Sequence, residues 1–138
     1  MDIKALIAQM TLEEKVGQMT QITITALADG TELTQAGDSI MRTYKVGSVL
    51  NAPGDGAQTP EDYCRFVSEI NAISLEACGI PTLYGLDHIH GTSYIAGGIL
   101  FPQEVNIAAT FNREHAYNMG KVTAYESRAA DVPWTFSP

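Results

Sequence analysis

The chain has 138 residues, of which 45% are hydrophobic and 17% are charged; this length and composition predict one domain with a hydrophobic core and exclude a disordered chain. Acidic residues outnumber basic residues by 16 to 8, which argues against binding to nucleic acid or to an anionic membrane surface. No apolar run approaches the roughly 20 residues that a membrane-spanning helix needs. Residues 1–4 lack the features of a signal peptide, so we expect a protein that stays inside the cell or has lost a signal.

The N-terminal third of the sequence predicts two helices and a strand. Apolar residues recur at helical spacing over residues 3–10. Thr11 and Glu14 then match a capping box, which predicts the start of a second helix. Alternating β-branched residues predict a strand over residues 21–25, and residues 28–31 follow as a polar loop.

The middle of the sequence predicts two further helices and two further strands. A short helix around residues 40–44 leads to a buried strand over residues 47–50. The next helix begins at Thr59, because a threonine cap followed by proline is typical of a helix start, and it ends at Gly79. Residues 82–86 predict a third strand that is apolar on both faces, as expected in a parallel sheet.

The last third predicts a long irregular segment over residues 87–101, a short helix over residues 102–109, and a longer helix that Asn112 caps. A fourth strand covers residues 132–137. Strands and helices therefore alternate, which predicts a parallel sheet with crossover helices. Four such units fit either an open doubly wound sheet or about half of a (β/α)₈ barrel, since a complete barrel needs roughly 250 residues.

Both architectures place functional groups at the carboxyl ends of the strands. Asp87 directly follows the third predicted strand and is the ionisable residue among these ends. Its carboxylate is suited to accept hydrogen bonds from sugar hydroxyls, to act as a base, or to bind a metal. His88 and His90 occupy alternate positions of the same segment, which would also allow a metal site. The alternative is that one histidine packs and forms a hydrogen bond beneath the loop.

Two further residues have mainly structural interpretations. Glu126 lies beside a stripe of small residues on the last helix. We expect it to be buried and paired, with Arg128 or Arg113 as the partner. Trp134 lies in the middle of the fourth predicted strand, and we expect it to pack in the core rather than to stack on a sugar.

Several segments, in this order and spacing, resemble the start of the catalytic barrel of glycoside hydrolase family 3, of the bacterial β-glucosidase kind. The matching segments are residues 10–19 (MTLEEKVGQM), 46–51 (VGSVLN), 79–91 (GIPTLYGLDHIHG), 101–102 (FP), 126–129 (ESRA) and 133–138 (PWTFSP). The resemblance covers nearly the whole chain. It implies a domain over residues 1–138 that forms the N-terminal half of a (β/α)₈ barrel, with about four parallel strands and crossover helices.

The resemblance also implies roles for individual residues. Asp87 would bind hydroxyls of the glycosyl unit in subsite −1, because charge-assisted hydrogen bonds are strong and a carboxylate holds two hydroxyls at once. His90 would support the loop rather than contact the substrate. Family members retain the anomeric configuration by using two carboxylates. The nucleophile and the acid/base residue are expected beyond Pro138, so the isolated chain is predicted to be inactive.

The resemblance therefore implies part of a retaining β-glucosidase that acts on terminal β-linked glucosyl residues and needs no cofactor or metal. The resemblance suggests a periplasmic or secreted enzyme. One alternative is a non-catalytic half-barrel that binds a partner or self-associates to cover its exposed inner face. The other alternative is a metal-dependent barrel hydrolase that uses His88 and His90.

Overall fold

The computed structural model describes residues 2–137, and its main sheet has four parallel strands in the order β1-β4-β5-β6. These strands are β1 (Gln21–Thr23), β4 (Ser48–Leu50), β5 (Leu83–Leu86) and β6 (Trp134–Thr135). A separate antiparallel hairpin joins β2 (Ala28–Asp29) to β3 (Glu32–Leu33). The predicted α/β architecture of parallel strands with crossover helices is confirmed.

Most helices begin and end where local sequence signals indicate. They are α1 (Ile3–Gln9), α2 (Leu12–Gln18), α3 (Gln35–Tyr44), α4 (Pro60–Cys78), α5 (Glu104–Ala108) and α6 (Arg113–Ala129). However, α3 begins at Gln35, five residues before the predicted helix around residues 40–44, because the Thr34 side chain caps it. Thr11 and Glu14 form both hydrogen bonds of the predicted capping box before α2. The Thr59 side chain caps α4, and Gly79 ends this helix in the left-handed conformation. Among the described residues, no helix is long and apolar enough to cross a membrane.

The structure differs from the sequence prediction between β1 and α3. The predicted strand over residues 21–25 stops at Thr23, because Ile24–Ala26 form a turn of 3₁₀ helix. This turn buries Ile24, which is 1% exposed, and the core gains an apolar side chain. The predicted loop over residues 28–31 is instead part of the β2–β3 hairpin. Its turn holds Gly30 at a positive φ of 58°, a conformation that glycine adopts without strain.

The hydrophobic core lies between the sheet and the helices. Val49 of β4 is paired with Tyr84 of β5, and both side chains are buried on the helix-facing side. The ring of Tyr84 meets the rings of Tyr63 and Phe66 on α4 edge to face, each at a centroid distance of 6.2 Å. This packing holds β5 against α4.

The opposite face of the sheet carries exposed apolar side chains in the described residues. Leu83 is 53% exposed and Trp134 is 38% exposed. The predicted core packing of Trp134 is therefore wrong. Its register opposite Gly85 places it on the face away from the helices, where it contacts the ring of Phe136. Phe136 also fills the space above Gly85, since a Cβ at Gly85 would overlap its ring.

Candidate functional site

The carboxyl ends of β4 and β5 lie side by side and present Asn51 and Asp87 at one edge of the sheet. A depression of about 280 Å³ opens between them. It is lined by Asn51, Ala52, Gly54, Gly56, Leu86, Asp87 and Tyr94. Asp87 therefore follows the end of a strand, as predicted, and Asn51 lines the same depression.

Asp87 is partly buried and lies directly after the last residue of β5. Within residues 2–137, its carboxylate forms no hydrogen bond or ion pair with another side chain or with the backbone. The carboxylate is thus held at the rim by its backbone while its oxygens are available to a ligand. An unpaired carboxylate in a concave, partly polar site is suited to bind adjacent hydroxyl groups.

Asn51 forms the second wall of the depression and is held on both sides. Its backbone has a positive φ of 76°, which asparagine tolerates better than most residues. Its Nδ2 atom donates a hydrogen bond to Thr23 Oγ1 at 3.3 Å, and the Tyr84 hydroxyl donates to its carbonyl oxygen. Burial raises the pKa of the Tyr84 phenol, so this hydroxyl remains a donor. The neighbouring strands β1 and β5 therefore orient Asn51.

His88 follows Asp87 but turns away from the depression. Its ring is buried, and Nδ1 lies 2.7 Å from Ser127 Oγ on α6. The Ser137 hydroxyl donates to the backbone carbonyl of His88 at 2.5 Å. Burial lowers the pKa of His88 to about 4, so the ring is neutral at pH 7; the charges of Asp87 and Glu126 oppose this shift only partly. Ser127 on α6 and Ser137 after β6 thus hold the segment that follows β5 in place.

Glu126 holds the middle of the long loop that follows β5. Its Oε2 atom accepts hydrogen bonds from Thr92 Oγ1 at 2.5 Å and from the Ile99 N–H at 3.0 Å. These two bonds confirm the structural interpretation of Glu126. The side chain is only partly buried, however, and the expected pairing with Arg128 or Arg113 is wrong. The carboxylate lies toward the loop and joins Thr92 to Ile99 through one of its oxygen atoms.

The structure separates the two histidines. The ring of His88 is the one bonded beneath the loop, whereas His90 contributes its carbonyl oxygen, which accepts from the Phe101 N–H at 2.8 Å. The loop-supporting role of the His90 side chain stays a prediction. Among residues 2–137, no group of three or more His, Cys, Asp or Glu side chains is arranged to hold a metal ion. The alternative of a metal site at His88 and His90 therefore has no ligand set in this part of the chain.

Sequence reasoning did not identify Tyr94 as part of the depression or Ser127 as the partner of His88. Tyr94 lies in the irregular segment, which carries no periodic signal, and its ring stacks on His88 at a centroid distance of 6.3 Å. In the sequence, Ser127 is one of the small residues of the stripe on the last helix, and nothing in that pattern indicates His88 as its partner. A hydroxyl at a buried helix position does indicate a polar partner nearby.

Comparison with known proteins identifies the family. The model of the glycosyl hydrolase family 3 N-terminal domain matches residues 11–138. The chain belongs to glycoside hydrolase family 3. This membership confirms the resemblance read from the sequence segments.

Three curated relatives carry the names of glycosidases, and each is much longer than this chain. A lysosomal beta glucosidase of Dictyostelium discoideum is 34% identical over 96% of the chain and 18% of its own length. A periplasmic beta-glucosidase of Salmonella typhimurium is 26% identical over 96% of the chain and 15% of its own length. A putative beta-xylosidase of Formosa agariphila is 27% identical over 99% of the chain and 18% of its own length. The chain thus spans less than a fifth of each of these relatives.

Solved structures support the fold. A family 3 beta-N-acetylglucosaminidase from Paenibacillus matches 94% of the chain and 24% of its own chain, with a TM-score of 0.78 and 23% identity. A beta-N-acetylhexosaminidase from Beutenbergia cavernae matches 95% of the chain and 38% of its own chain, with a TM-score of 0.69 and 21% identity. The predicted fold, part of a (β/α)₈-type barrel with four parallel strands, is confirmed.

Proposed function

We propose that the protein carrying this chain is a retaining β-glucosidase that acts on terminal β-linked glucosyl residues, with Asp87 in subsite −1. The observation that carries the proposal is the unpaired, partly buried Asp87 carboxylate in the depression between β4 and β5. Asn51 opposite it offers a further polar group for hydroxyls. Two of the curated relatives are named as beta-glucosidases, which favours glucose as the glycone.

The test compares the Asp87→Asn variant with wild type in the full-length protein. Hydrogen bonds to a charged group contribute about 1.5–3 kcal/mol each. Asp87→Asn removes the charge from the acceptor of two such bonds to the sugar, so we expect kcat/KM to fall by about 10²- to 10⁴-fold. Asp131→Asn is the matched control, because Asp131 is an exposed aspartate at the opposite edge of the sheet. Asp87→Asn activity equal to that of the control would refute the role of Asp87.

The choice of substrate needs its own measurement, because the relatives differ in what they are named for. Hydrolysis of p-nitrophenyl β-glucoside, β-xyloside and β-N-acetylglucosaminide by the wild-type protein separates the three sugars. We expect the β-glucoside to have the highest kcat/KM and the released glucose to keep the β configuration in an NMR time course. Preference for another glycone, or inversion, would contradict the proposed reaction.

We also propose that the isolated 138-residue chain does not hydrolyse glycosides. Retaining hydrolysis needs two carboxylates about 5–5.5 Å apart, and the described lining of the depression holds one, Asp87. The nucleophile and the acid/base residue would then come from beyond Pro138, as the resemblance implies. Turnover of an aryl β-glucoside by the purified chain, abolished by Asp87→Asn, would overturn this part of the proposal.

A second candidate, a non-catalytic half-barrel that self-associates, is favoured by the exposed side chains of Leu83 and Trp134 on the sheet face away from the helices. Covering such a face, with the remainder of a barrel or with a second copy, removes apolar area from water. Light scattering on the isolated chain tests this candidate. A dimer that Trp134→Lys dissociates would support it, and a stable monomer would argue against it.

A further inference from the structure

A second cavity lies on the helix side of the sheet and shares no lining residue with the depression at Asp87. Its volume is about 210 Å³, and it lies between the segment after β5, helix α5 and helix α6. His88, Glu104, Met119, Thr123 and Ser137 are among its lining residues. Most of the wall is apolar, so the few polar atoms that reach it determine what it binds.

Two of these polar atoms are buried and have no partner. Within residues 2–137, they are His88 Nε2 and Glu104 Oε1, and each has almost no contact with solvent. The whole His88 residue is only 1% exposed. Buried polar atoms in folded proteins are almost always hydrogen-bonded to the protein or to an ordered molecule. Finding two of them on one cavity therefore points to a shared partner.

The hydrogen-bond chemistry of the two atoms is complementary. His88 Nδ1 is the hydrogen-bond partner of Ser127 Oγ within residues 2–137, and either atom can be the donor in this contact. The Ser127 hydroxyl is assigned here as the donor, because Nδ1 is the one acceptor that it meets in that part of the chain. This assignment places the ring proton of the neutral imidazole on Nε2 and makes that atom a donor. Glu104 Oε1 is an acceptor. The cavity thus offers one donor and one acceptor.

The remaining hydroxyl groups of the wall already have partners. Thr123 Oγ1 donates to the Met119 carbonyl oxygen at 2.8 Å, and Ser137 Oγ donates to the carbonyl oxygen of His88. Thr135 Oγ1 lies 3.1 Å from Ser137 Oγ and forms a hydrogen bond with it. None of these three hydroxyls bonds to His88 Nε2 or Glu104 Oε1, so a molecule bound in the cavity would supply the partner that residues 2–137 do not provide.

We propose that this cavity is a hydroxyl-binding site, in which one hydroxyl group accepts a hydrogen bond from His88 Nε2 and donates one to Glu104 Oε1. The hydroxyl belongs to water or to a small polyol. A water molecule occupies about 30 Å³ of liquid volume, so the cavity has room for water and for a molecule the size of glycerol. The site links the residue after Asp87 to α5, and it does not depend on the proposed glycosidase activity.

Crystallography of the full-length protein tests the site directly. Crystals prepared without polyols should show a density peak about 2.7–3.2 Å from both His88 Nε2 and Glu104 Oε1, without anomalous signal. A second set soaked in glycerol distinguishes the sources, because a polyol site exchanges the peak for glycerol and a water site keeps it. An empty cavity, a direct bond between His88 and Glu104, or an anomalous peak from a metal would overturn the proposal.

Thermal unfolding of variants gives an independent test. His88→Asn offers its amide oxygen as an acceptor for the Ser127 hydroxyl but removes Nε2, and Glu104→Leu removes the acceptor on α5. Each single variant should lower Tm by roughly 2–4 °C, and the double variant should lower it by less than the two effects combined, because the hydroxyl has already lost one partner.

The control for Glu104 is Glu114→Leu, since both glutamates lie in the first turn of a helix. Glu104→Gln keeps an acceptor oxygen and should restore most of the lost Tm. If Glu104 only complements the helix dipole, Glu104→Leu will match Glu114→Leu and its effect will add to that of His88→Asn. That additive result would overturn the proposal.

Discussion

The buried ring of His88 predicts a specific loss of stability between pH 6.5 and pH 4. In the unfolded chain this histidine has a pKa near 6.5, whereas burial lowers it to about 4 in the folded protein. Between these values the unfolded chain binds a proton that the folded chain does not. Stability from this group is therefore complete above pH 6.5 and is lost as the pH falls toward 4.

The magnitude follows from the shift. Each pKa unit corresponds to about 1.36 kcal/mol, so the full change from the ordinary value to about 4 amounts to about 3 kcal/mol. The conversion applies without a correction for solvent screening because His88 is 1% exposed. A loss of this size is a large fraction of the roughly 5–15 kcal/mol by which domains are typically stable.

The assay is urea unfolding of the 138-residue chain, followed by far-UV circular dichroism at several pH values. The control is His88→Asn, which keeps a hydrogen-bond group for Ser127 but does not titrate. The difference between the two proteins removes the contribution of the carboxylates that also titrate below pH 5. We expect the free energy of unfolding of wild type to fall relative to the variant by about 3 kcal/mol over this range.

Parallel curves for wild type and His88→Asn between pH 4 and pH 7 would refute this reasoning. An NMR titration of the folded chain measures the pKa of the His88 ring directly and so tests the same reasoning. A His88 pKa near 6.5 in the folded chain would show that the ring is not desolvated as the structure indicates. A value near 4 would agree with its burial against α6.

Two further predictions concern the long loop and the close helix contacts. Glu126→Ala removes the acceptor for Thr92 and Ile99, so the Ile99 amide should exchange with deuterium at least about 10-fold faster by NMR; unchanged exchange would contradict the anchoring role. Gly17→Ala should cost about 1–3 kcal/mol in urea unfolding, since its Cβ would overlap a backbone oxygen of α3. Its control Gly120→Ala, which meets nothing within 4 Å, should stabilise by roughly 0.5–1 kcal/mol; equal effects would disprove the close contact.

The elements that the sequence predicted well are those defined by neighbouring residues. The caps at Thr11, Thr59 and Asn112 each use a side chain that accepts from an N–H two or three residues later. Such contacts form within one turn of chain, so a short stretch of sequence contains all the participants. The same holds for Asp87, whose place at a strand end follows from the apolar run before it. Asp29 and Gly30 contained a hairpin signal of this local kind that the prediction did not use.

The errors at the candidate site concern partners that are distant in sequence. His88 bonds to Ser127 across 39 positions, and Thr92 bonds to Glu126 across 34. Charge alone suggested an arginine for Glu126, but the loop packed on α6 presents a hydroxyl and a backbone N–H instead. Trp134 faces away from the helices because the register of β6 against β5 sets its direction.

The amino-acid sequence by itself determined the order of the helices and of the four strands of the main sheet, the family, and the carboxylate that follows β5. It did so because capping, periodicity and motif spacing are properties of consecutive residues. Only the tertiary structure decided that His88 rather than His90 has its ring bonded beneath the loop, and that His88 and Glu104 meet at one cavity. Those outcomes depend on how α5 and α6 pack beside β5, which brings together side chains that no local pattern connects.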